Sequence, residues 1–254
     1  MRKNPASSQF LCDEGRRHIL GSAVLAGWLA GMGGVARALA APVPNETGLS
    51  FEGLLKDEPG FQPRKLAPLP VAEVPGFLSQ AQMAHSYAVY REDFAELLAA
   101  ETSLKSVARD SERADDYLAL RKQQIISANS VLLHEFYFRN LALERVDPPH
   151  FIQANMAEHM GTMATWSADF AACARVADVW AVLIYDPYDD RWHNLPLGAM
   201  SAAGMVGGNP LVVCKVSEDT WSLDYDDRET YVGRFIEHID WNVVATRYRA
   251  VDRR

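Results

Sequence analysis

Histidines, carboxylates and cysteines are the residues of this chain that could bind a metal ion or transfer a proton. Three cysteines are present: Cys12, Cys173 and Cys214. They are too few and too widely spaced for a disulfide framework or a thiolate zinc site, so any metal chemistry depends on histidines and carboxylates. His134 and Glu135 begin like a zinc-protease helix, but Phe138 occupies the position of the second histidine, which excludes that motif.

The composition is that of a globular, acidic protein. Of its 254 residues, 48% are hydrophobic, which is enough for a sizeable core. There are 33 acidic and 25 basic residues, and the formal net charge is −8. Because phosphate neutralisation needs clustered lysines and arginines, no nucleic acid is expected as a partner.

The N-terminal segment has the layout of an export signal. Arg16 and Arg17 precede an apolar, glycine-rich run, and Ala38 and Ala40 are the small residues that a signal peptidase needs. The paired arginines resemble a bacterial twin-arginine signal. We therefore expect residues 1–40 to be a signal peptide that the twin-arginine translocase recognises. Cleavage after Ala40 would leave a periplasmic protein with no stable membrane span.

Helical periodicity predicts a pair of helices in the first half of the mature chain. Residues 41–77 are rich in proline, which interrupts helices and predicts an extended lead-in. Ser79 is a suitable N-cap for a first helix, and apolar spacing predicts a second helix over residues 111–143. A short loop joins the two helices, so residues 78–146 are predicted to form an antiparallel α-hairpin domain.

The remaining residues, 147–254, combine helical and strand patterns. Strands are predicted at residues 179–185, 192–197 and 211–216, and helices at residues 166–176 and 230–248. The sequence thus predicts an α+β protein, in which the N-terminal α-hairpin is followed by a C-terminal α/β domain with a three-stranded antiparallel sheet.

Several strings are similar to the signatures of one known protein family. His134–Leu141 is similar to the string His-x-x-Tyr-Phe-x-Asn-Leu, and Val179–Ile184 resembles the strand Gly-Trp-x-Trp-Leu-Val. Leu223–Tyr225 and the helix at 231–248 resemble the C-terminal signatures of the same family. The chain thus resembles the iron/manganese superoxide dismutase family over about residues 65–250, in family order. This resemblance implies the family's fold, a bound iron or manganese ion, and a role in oxidative stress through conversion of superoxide to oxygen and peroxide.

The resemblance also implies where the metal ligands should be. The family holds its metal with three histidines and one aspartate. The second-helix ligand corresponds to His134, which is retained, whereas the first-helix ligand corresponds to Ser86, with His85 one position away. The ligand aspartate corresponds to Lys215, and the last ligand histidine corresponds to Asp219. Three of the four ligand positions are therefore substituted.

Lys215 separates two hypotheses about this site. A protonated lysine has no lone pair and repels a metal ion, so the first hypothesis is a Lys215–Asp219 ion pair beside a neutral His134, with no metal bound. The second hypothesis retains iron or manganese on a rebuilt ligand set: His85, His134, Asp219 and Glu218. One step along a helix rotates a side chain by about 100°, which opposes the use of His85.

These substitutions favour a non-catalytic, exported member of the family that acts on an unknown periplasmic protein partner. The alternative is an active iron/manganese superoxide dismutase with a rearranged metal site. The resemblance implies a homodimer bridged by a Glu-His pair, in which Glu218 is retained and Asp219 replaces the histidine. An oxidising compartment would permit a disulfide between Cys173 and Cys214, and the sequence leaves that pairing open.

Overall fold

The computed structural model describes residues 66–198 and 207–251. Four residues of the predicted export signal lie outside these ranges: Arg16, Arg17, Ala38 and Ala40. Most of the predicted lead-in also lies outside them, so both remain predictions. Within the described ranges, every helix is too short or too polar to span a bilayer.

Two long helices open the described part of the chain. Helix α1 spans Gln80–Ser106 and helix α2 spans Ala114–Asn140, so α2 is shorter at both ends than the predicted 111–143. The Ser79 side chain accepts a hydrogen bond from the Gln82 N–H, which satisfies one of the backbone donors that a first helical turn leaves free. Ser79 is thus the predicted N-cap.

Helices α1 and α2 are antiparallel. Asp93 on α1 accepts a hydrogen bond from Ser130 on α2, and Glu96 accepts one from Gln123. Residue numbers therefore rise along one helix as they fall along the other. This pairing confirms the predicted α-hairpin.

Three apolar residues that lie at helical spacing on α1 and α2 are exposed rather than buried. Leu98, Leu118 and Ile125 have 44%, 50% and 45% of their surface exposed. Each of these two helices packs mainly against the other. The side of each helix that faces its partner is therefore covered, and the adjacent stripe is not. Apolar spacing alone does not show which of two adjacent stripes meets the partner helix.

The described residues of the C-terminal part form four helices, three strands and one short 3₁₀ helix. They are α3 (His150–Met160), α4 (Met163–Val176), β1 (Trp180–Asp186), β2 (Arg191–Leu197), β3 (Asn209–Lys215), the 3₁₀ helix (Glu218–Thr220), α5 (Arg228–Glu237) and α6 (Trp241–Val251). The sheet is antiparallel with strand order β2-β1-β3. The central strand β1 is buried along its whole length. This arrangement confirms the predicted α+β fold with its three-stranded sheet.

Two helices differ from the sequence-based expectation. Helix α3 was not expected after Pro149, although proline is tolerated at a helix start because its missing N–H is not needed there. The single helix expected over residues 230–248 is in fact α5 and α6. The break arises because Ile239 forms a β-bridge with Leu141, and the Asp240 N–H donates to the Asn140 carbonyl oxygen at 2.7 Å.

The two cysteines of the described chain are both free thiols. Cys173 is half-buried on α4, and its Sγ lies 3.6 Å from the Asn194 carbonyl oxygen. Cys214 is buried on β3, with its Sγ 3.9 Å from the Tyr231 hydroxyl. The disulfide that the sequence left open is therefore absent between these two cysteines.

A buried arginine joins α6 to α2 and to the sheet. The Arg247 guanidinium donates hydrogen bonds of 2.8–2.9 Å to Asn140 Oδ1 and to the carbonyl oxygens of Leu211 and Phe136. Asn140 Oδ1 also accepts a hydrogen bond from the Val213 N–H. Burial, and secondarily the charge of another arginine, lowers the pKa of Arg247 to about 9. The guanidinium thus binds three acceptors on two elements, α2 and β3, and connects α6 to both.

Candidate functional site

Five polar residues lie together where α1 and α2 meet the end of β3 and the 3₁₀ helix. We call this group the His134 cluster, and its members are Asp93, Ser130, His134, Lys215 and Asp219. Hydrogen bonds connect the first three, an ion pair connects the last two, and the Trp180 ring contacts both His134 and Lys215. All four elements therefore contribute to one polar site inside an apolar core.

His134 is fully buried and neutral. Its Nδ1 lies 2.9 Å from the Ser130 carbonyl oxygen, and because a carbonyl can only accept, Nδ1 must carry the hydrogen. Its Nε2 is then a lone-pair acceptor, and it has no hydrogen-bond partner within residues 66–198 and 207–251. Burial, and secondarily the charge of Lys215, lowers the pKa of His134 to about 3. The imidazole is therefore uncharged at neutral pH.

Lys215 and Asp219 form the predicted ion pair. Lys215 Nζ lies 2.5 Å from Asp219 Oδ2, and the two side chains are 4% and 32% exposed. Burial by itself would raise the pKa of Asp219, but the charge and hydrogen bond of Lys215 outweigh it and lower that pKa below its usual value. Asp219 is thus ionised beside a buried ammonium, as the first hypothesis requires.

Asp93 is a member of the cluster that the sequence did not predict. Its Oδ2 accepts a 2.6 Å hydrogen bond from Ser130 Oγ and lies 3.4 Å from His134 Nδ1. Burial raises the pKa of Asp93, and the Ser130 hydrogen bond and the Lys215 charge oppose that rise only in part. Asp93 follows Ser86 by seven residues, about two helical turns, and that spacing is the only sequence signal that could have identified it.

Ser86, which the resemblance assigns to the first-helix ligand position, also faces this region. Ser86 is 1% exposed and lies 3.4 Å from the side-chain nitrogen of Gln82, which donates to the Asp219 carbonyl oxygen at 2.8 Å. Gln82 Oε1 accepts a hydrogen bond from the Leu223 N–H. His85, by contrast, is exposed. Gln82 was not predicted either, although it precedes Ser86 by one helical turn.

The residues of the His134 cluster do not fit the iron or manganese ion of the family. The Nε2 lone pair of His134 could bind a metal ion, but the positions that the resemblance assigns to other ligands hold a neutral hydroxyl, on Ser86, and a cation, on Lys215. The carboxylate of Asp219 is already bound by that cation. One free nitrogen beside an ammonium cannot replace the charge-neutralising ligand set that these metals require.

The rebuilt ligand set of the second hypothesis is not assembled either. His85 and Glu218 are both exposed, whereas His134 is buried. In the part of the chain that the structure describes, three ligand atoms from His, Cys, Asp or Glu come within 4.8 Å of one another only in the turn between β1 and β2. The described structure thus brings neither His85 nor Glu218 into a ligand group with His134 and Asp219.

The buried His134 should make the protein sensitive to acid. The folded pKa of about 3 lies below the ordinary value of 6.5, so between these pH values the unfolded chain binds more protons and the free energy of unfolding decreases as the pH falls. Urea unfolding measures the drop in the free energy of unfolding between pH 6.5 and pH 5. This drop should be smaller by about 1.5 kcal/mol in His134→Gln than in the parent protein.

The exposed His150 provides the matched control for this experiment. His150→Gln removes one histidine without changing the core, so it separates the loss of a histidine in general from the loss of the buried one. An identical pH dependence in the parent protein and in His134→Gln would show that His134 is not held neutral by its surroundings.

Comparison with known proteins identifies the class. Residues 148–247 match the family model described as iron/manganese superoxide dismutases, C-terminal domain. Together with the α+β fold, this match supports membership of the iron/manganese superoxide dismutase family.

Curated relatives agree with this assignment at low identity. Superoxide dismutase [Mn] 2 of Haloferax volcanii is 30% identical over 119 residues, which is 46% of this chain and 60% of the relative. Superoxide dismutase [Fe] of Cupriavidus metallidurans is 28% identical over 138 residues, 53% of this chain and 69% of the relative. Superoxide dismutase [Fe] of Aquifex aeolicus is 25% identical over 151 residues, 59% of this chain and 71% of the relative. The match to the Haloferax protein thus spans less than two thirds of that relative.

Proposed function

We propose that the mature chain is an exported, non-catalytic member of the superoxide dismutase family, in which an ion pair stands in place of the catalytic metal. The observation that carries this proposal is the 2.5 Å contact between Lys215 and Asp219, with the lysine side chain only 4% exposed. The Lys215 ammonium supplies the positive charge that a metal ion would otherwise bring to the site.

The neighbouring residues support this assignment by their charges. The Asp219 carboxylate balances the ammonium, and His134 is kept neutral by burial and by Lys215. A metal ion entering the cluster would have to displace Lys215 from its carboxylate and leave an unpaired buried cation, which is strongly unfavourable. The charged groups of the cluster therefore oppose metal binding rather than favour it.

The site of action that we propose is the periplasm. The proposal rests on the paired arginines at 16 and 17, the apolar run behind them and the small residues at 38 and 40. In the absence of a catalytic metal, the function would be binding to another periplasmic protein. A homodimer bridged by the family's Glu-His pair is not part of this proposal, because Asp219 is already paired with Lys215.

The test is to purify untagged protein from the compartment to which it is exported. Its metal content and its superoxide dismutase activity are then measured on the same sample. We expect less than about one tenth of an iron or manganese ion bound per chain through His134, and no dismutase activity. Near-stoichiometric iron or manganese that is lost in His134→Gln, together with activity, would overturn the proposal.

A designed variant tests the physical reason. The triple substitution Ser86→His, Lys215→Asp and Asp219→His restores the family ligand types around His134, and we expect it to bind one iron or manganese ion per chain. The matched control carries Ser86→His and Asp219→His but retains Lys215, and it should remain free of metal. Metal binding by both variants would show that Lys215 does not exclude the ion.

The second candidate function is an active iron/manganese superoxide dismutase with a rearranged metal site. It is favoured by one observation, the buried Nε2 of His134, which has an available lone pair and no partner in the described part of the chain. This candidate requires another ligand set to move toward His134 when the ion binds. Activity that depends on His134 and on Asp219 would support it.

A further inference from the structure

A second group of ligand atoms lies at the opposite end of β1 from Lys215. Asp186 is the last residue of β1, Asp189 lies in the turn that follows, and His193 lies in β2. One carboxylate oxygen from each aspartate and one ring nitrogen of His193 are within 4.8 Å of one another. A single β-hairpin thus brings three metal-ligand atoms together.

Asp186 is a buried carboxylate that lacks a cation. The residue is 6% exposed, and its Oδ1 accepts a hydrogen bond from the Tyr188 N–H. Among the residues that the structure describes, none forms an ion pair with it; the guanidinium of nearby Arg191 donates instead to the Glu158 carbonyl oxygen. A cation bound beside this buried carboxylate would supply the counter-charge that the described residues do not.

The other two ligands are held in position and are accessible from solvent. Asp189 Oδ1 accepts a hydrogen bond from the Arg191 N–H, and its Oδ2 lies 2.8 Å from His193 Nε2. The side chains of Asp189 and His193 are 47% and 30% exposed. An ion could therefore enter from solvent and complete its coordination with water.

We propose that Asp186, Asp189 and His193 form a binding site for a divalent transition-metal ion, separate from the His134 cluster. The mixed nitrogen and oxygen donors suit Zn²⁺ or a neighbouring first-row ion, with water as the remaining ligand. Mg²⁺ and Ca²⁺ are disfavoured because they prefer oxygen ligands throughout. The two carboxylates neutralise the charge of the ion, and Asp186 gains the cation that it lacks.

Calorimetric titration of the full chain with Zn²⁺, after removal of bound metals, tests this site. We expect one Zn²⁺ per chain at this position, bound at least about tenfold more weakly in Asp186→Asn and in His193→Gln. Asp186→Asn retains the oxygen that accepts from the Tyr188 N–H, so the hairpin should be preserved. The matched control His150→Gln removes an exposed histidine on α3 and should bind Zn²⁺ as the parent does.

Thermal unfolding provides a second measurement that does not depend on calorimetry. Zn²⁺ should raise the midpoint of the parent and of His150→Gln, but not that of the two ligand variants, because only a folded site is stabilised by its ligand. The proposal would be overturned if both ligand variants bound Zn²⁺ as tightly as the parent does. It would also be overturned if the parent bound no Zn²⁺ at concentrations up to about 100 μM.

This proposal rests on a different site from the proposed function, and Zn²⁺ binding by His193→Gln and by His134→Gln distinguishes the failure of one from the failure of the other. Loss of Zn²⁺ binding with His193→Gln supports the hairpin site and leaves the His134 cluster without metal. Loss with His134→Gln, together with normal binding by His193→Gln, would overturn both. Metal analysis of the parent protein should therefore always be paired with these two variants.

Discussion

Replacement of Asp219 by asparagine should lower the free energy of unfolding by about 3 kcal/mol, because it leaves the buried Lys215 ammonium without its carboxylate. The lysine side chain is 4% exposed, so water cannot readily replace the lost partner. The expected value lies at the low end for a broken buried pair, since Asp219 itself is 32% exposed. Urea unfolding at pH 7 measures the change.

A double substitution and a neighbouring control make this prediction specific. Lys215→Met combined with Asp219→Asn removes the buried charge and should be more stable than Asp219→Asn alone. Glu218→Gln changes an exposed carboxylate one position away and should alter stability by less than about 0.5 kcal/mol. If Asp219→Asn were no more destabilising than Glu218→Gln, Lys215 would not depend on this ion pair.

The substitution Arg247→Ala should cost about 4 kcal/mol of stability. It removes the donors of three buried hydrogen bonds, to Asn140 Oδ1 and to the carbonyl oxygens of Leu211 and Phe136, and Asn140 Oδ1 keeps only its bond from the Val213 N–H. It also removes the packing of the guanidinium over the Phe136 ring, 4.5 Å from the ring centroid. Equilibrium unfolding in urea is again the measurement.

Arg249 provides the control on the same helix. Its guanidinium lies 4.3 Å from the Phe151 ring centroid but the residue is exposed, so Arg249→Ala should cost less than about 1 kcal/mol. Arg247→Lys retains a positive charge without the planar set of donors and should fall between the two. If Arg247→Ala and Arg249→Ala lost similar amounts of stability, the buried hydrogen bonds of Arg247 would not be what stabilises the fold.

The grouping of His134 with Lys215 and Asp219 could be predicted because local strings fix the numbering of their elements. The string that contains His134 lies within one helix, and the Leu223–Tyr225 string fixes the nearby Lys215 and Asp219. Because a buried lysine needs a nearby carboxylate, the ion pair could then be predicted as well. Helical geometry also separated buried Ser86 from exposed His85.

Contacts between elements that are distant in sequence could not be predicted in the same way. Asp93 and Gln82 join the site only because α1 packs beside α2 and the 3₁₀ helix, and their spacing on α1 specifies no partner. The helix break before Trp241 likewise depends on a bridge from Ile239 to Leu141, which directly follows α2 and is distant in sequence. The ligand group of the β1–β2 hairpin required the strand register, which the turn residues alone did not determine.

The hydrogen bonds of the Gln82 side-chain amide should hold α1 in place in acid and at high salt concentration. It links α1 to the 3₁₀ segment by bonding the Asp219 carbonyl oxygen and the Leu223 N–H, and the residue is fully buried. An uncharged link of this kind is not screened by dissolved salt and does not titrate. High ionic strength or acid could thus weaken the charged contacts nearby while α1 stays attached to this segment.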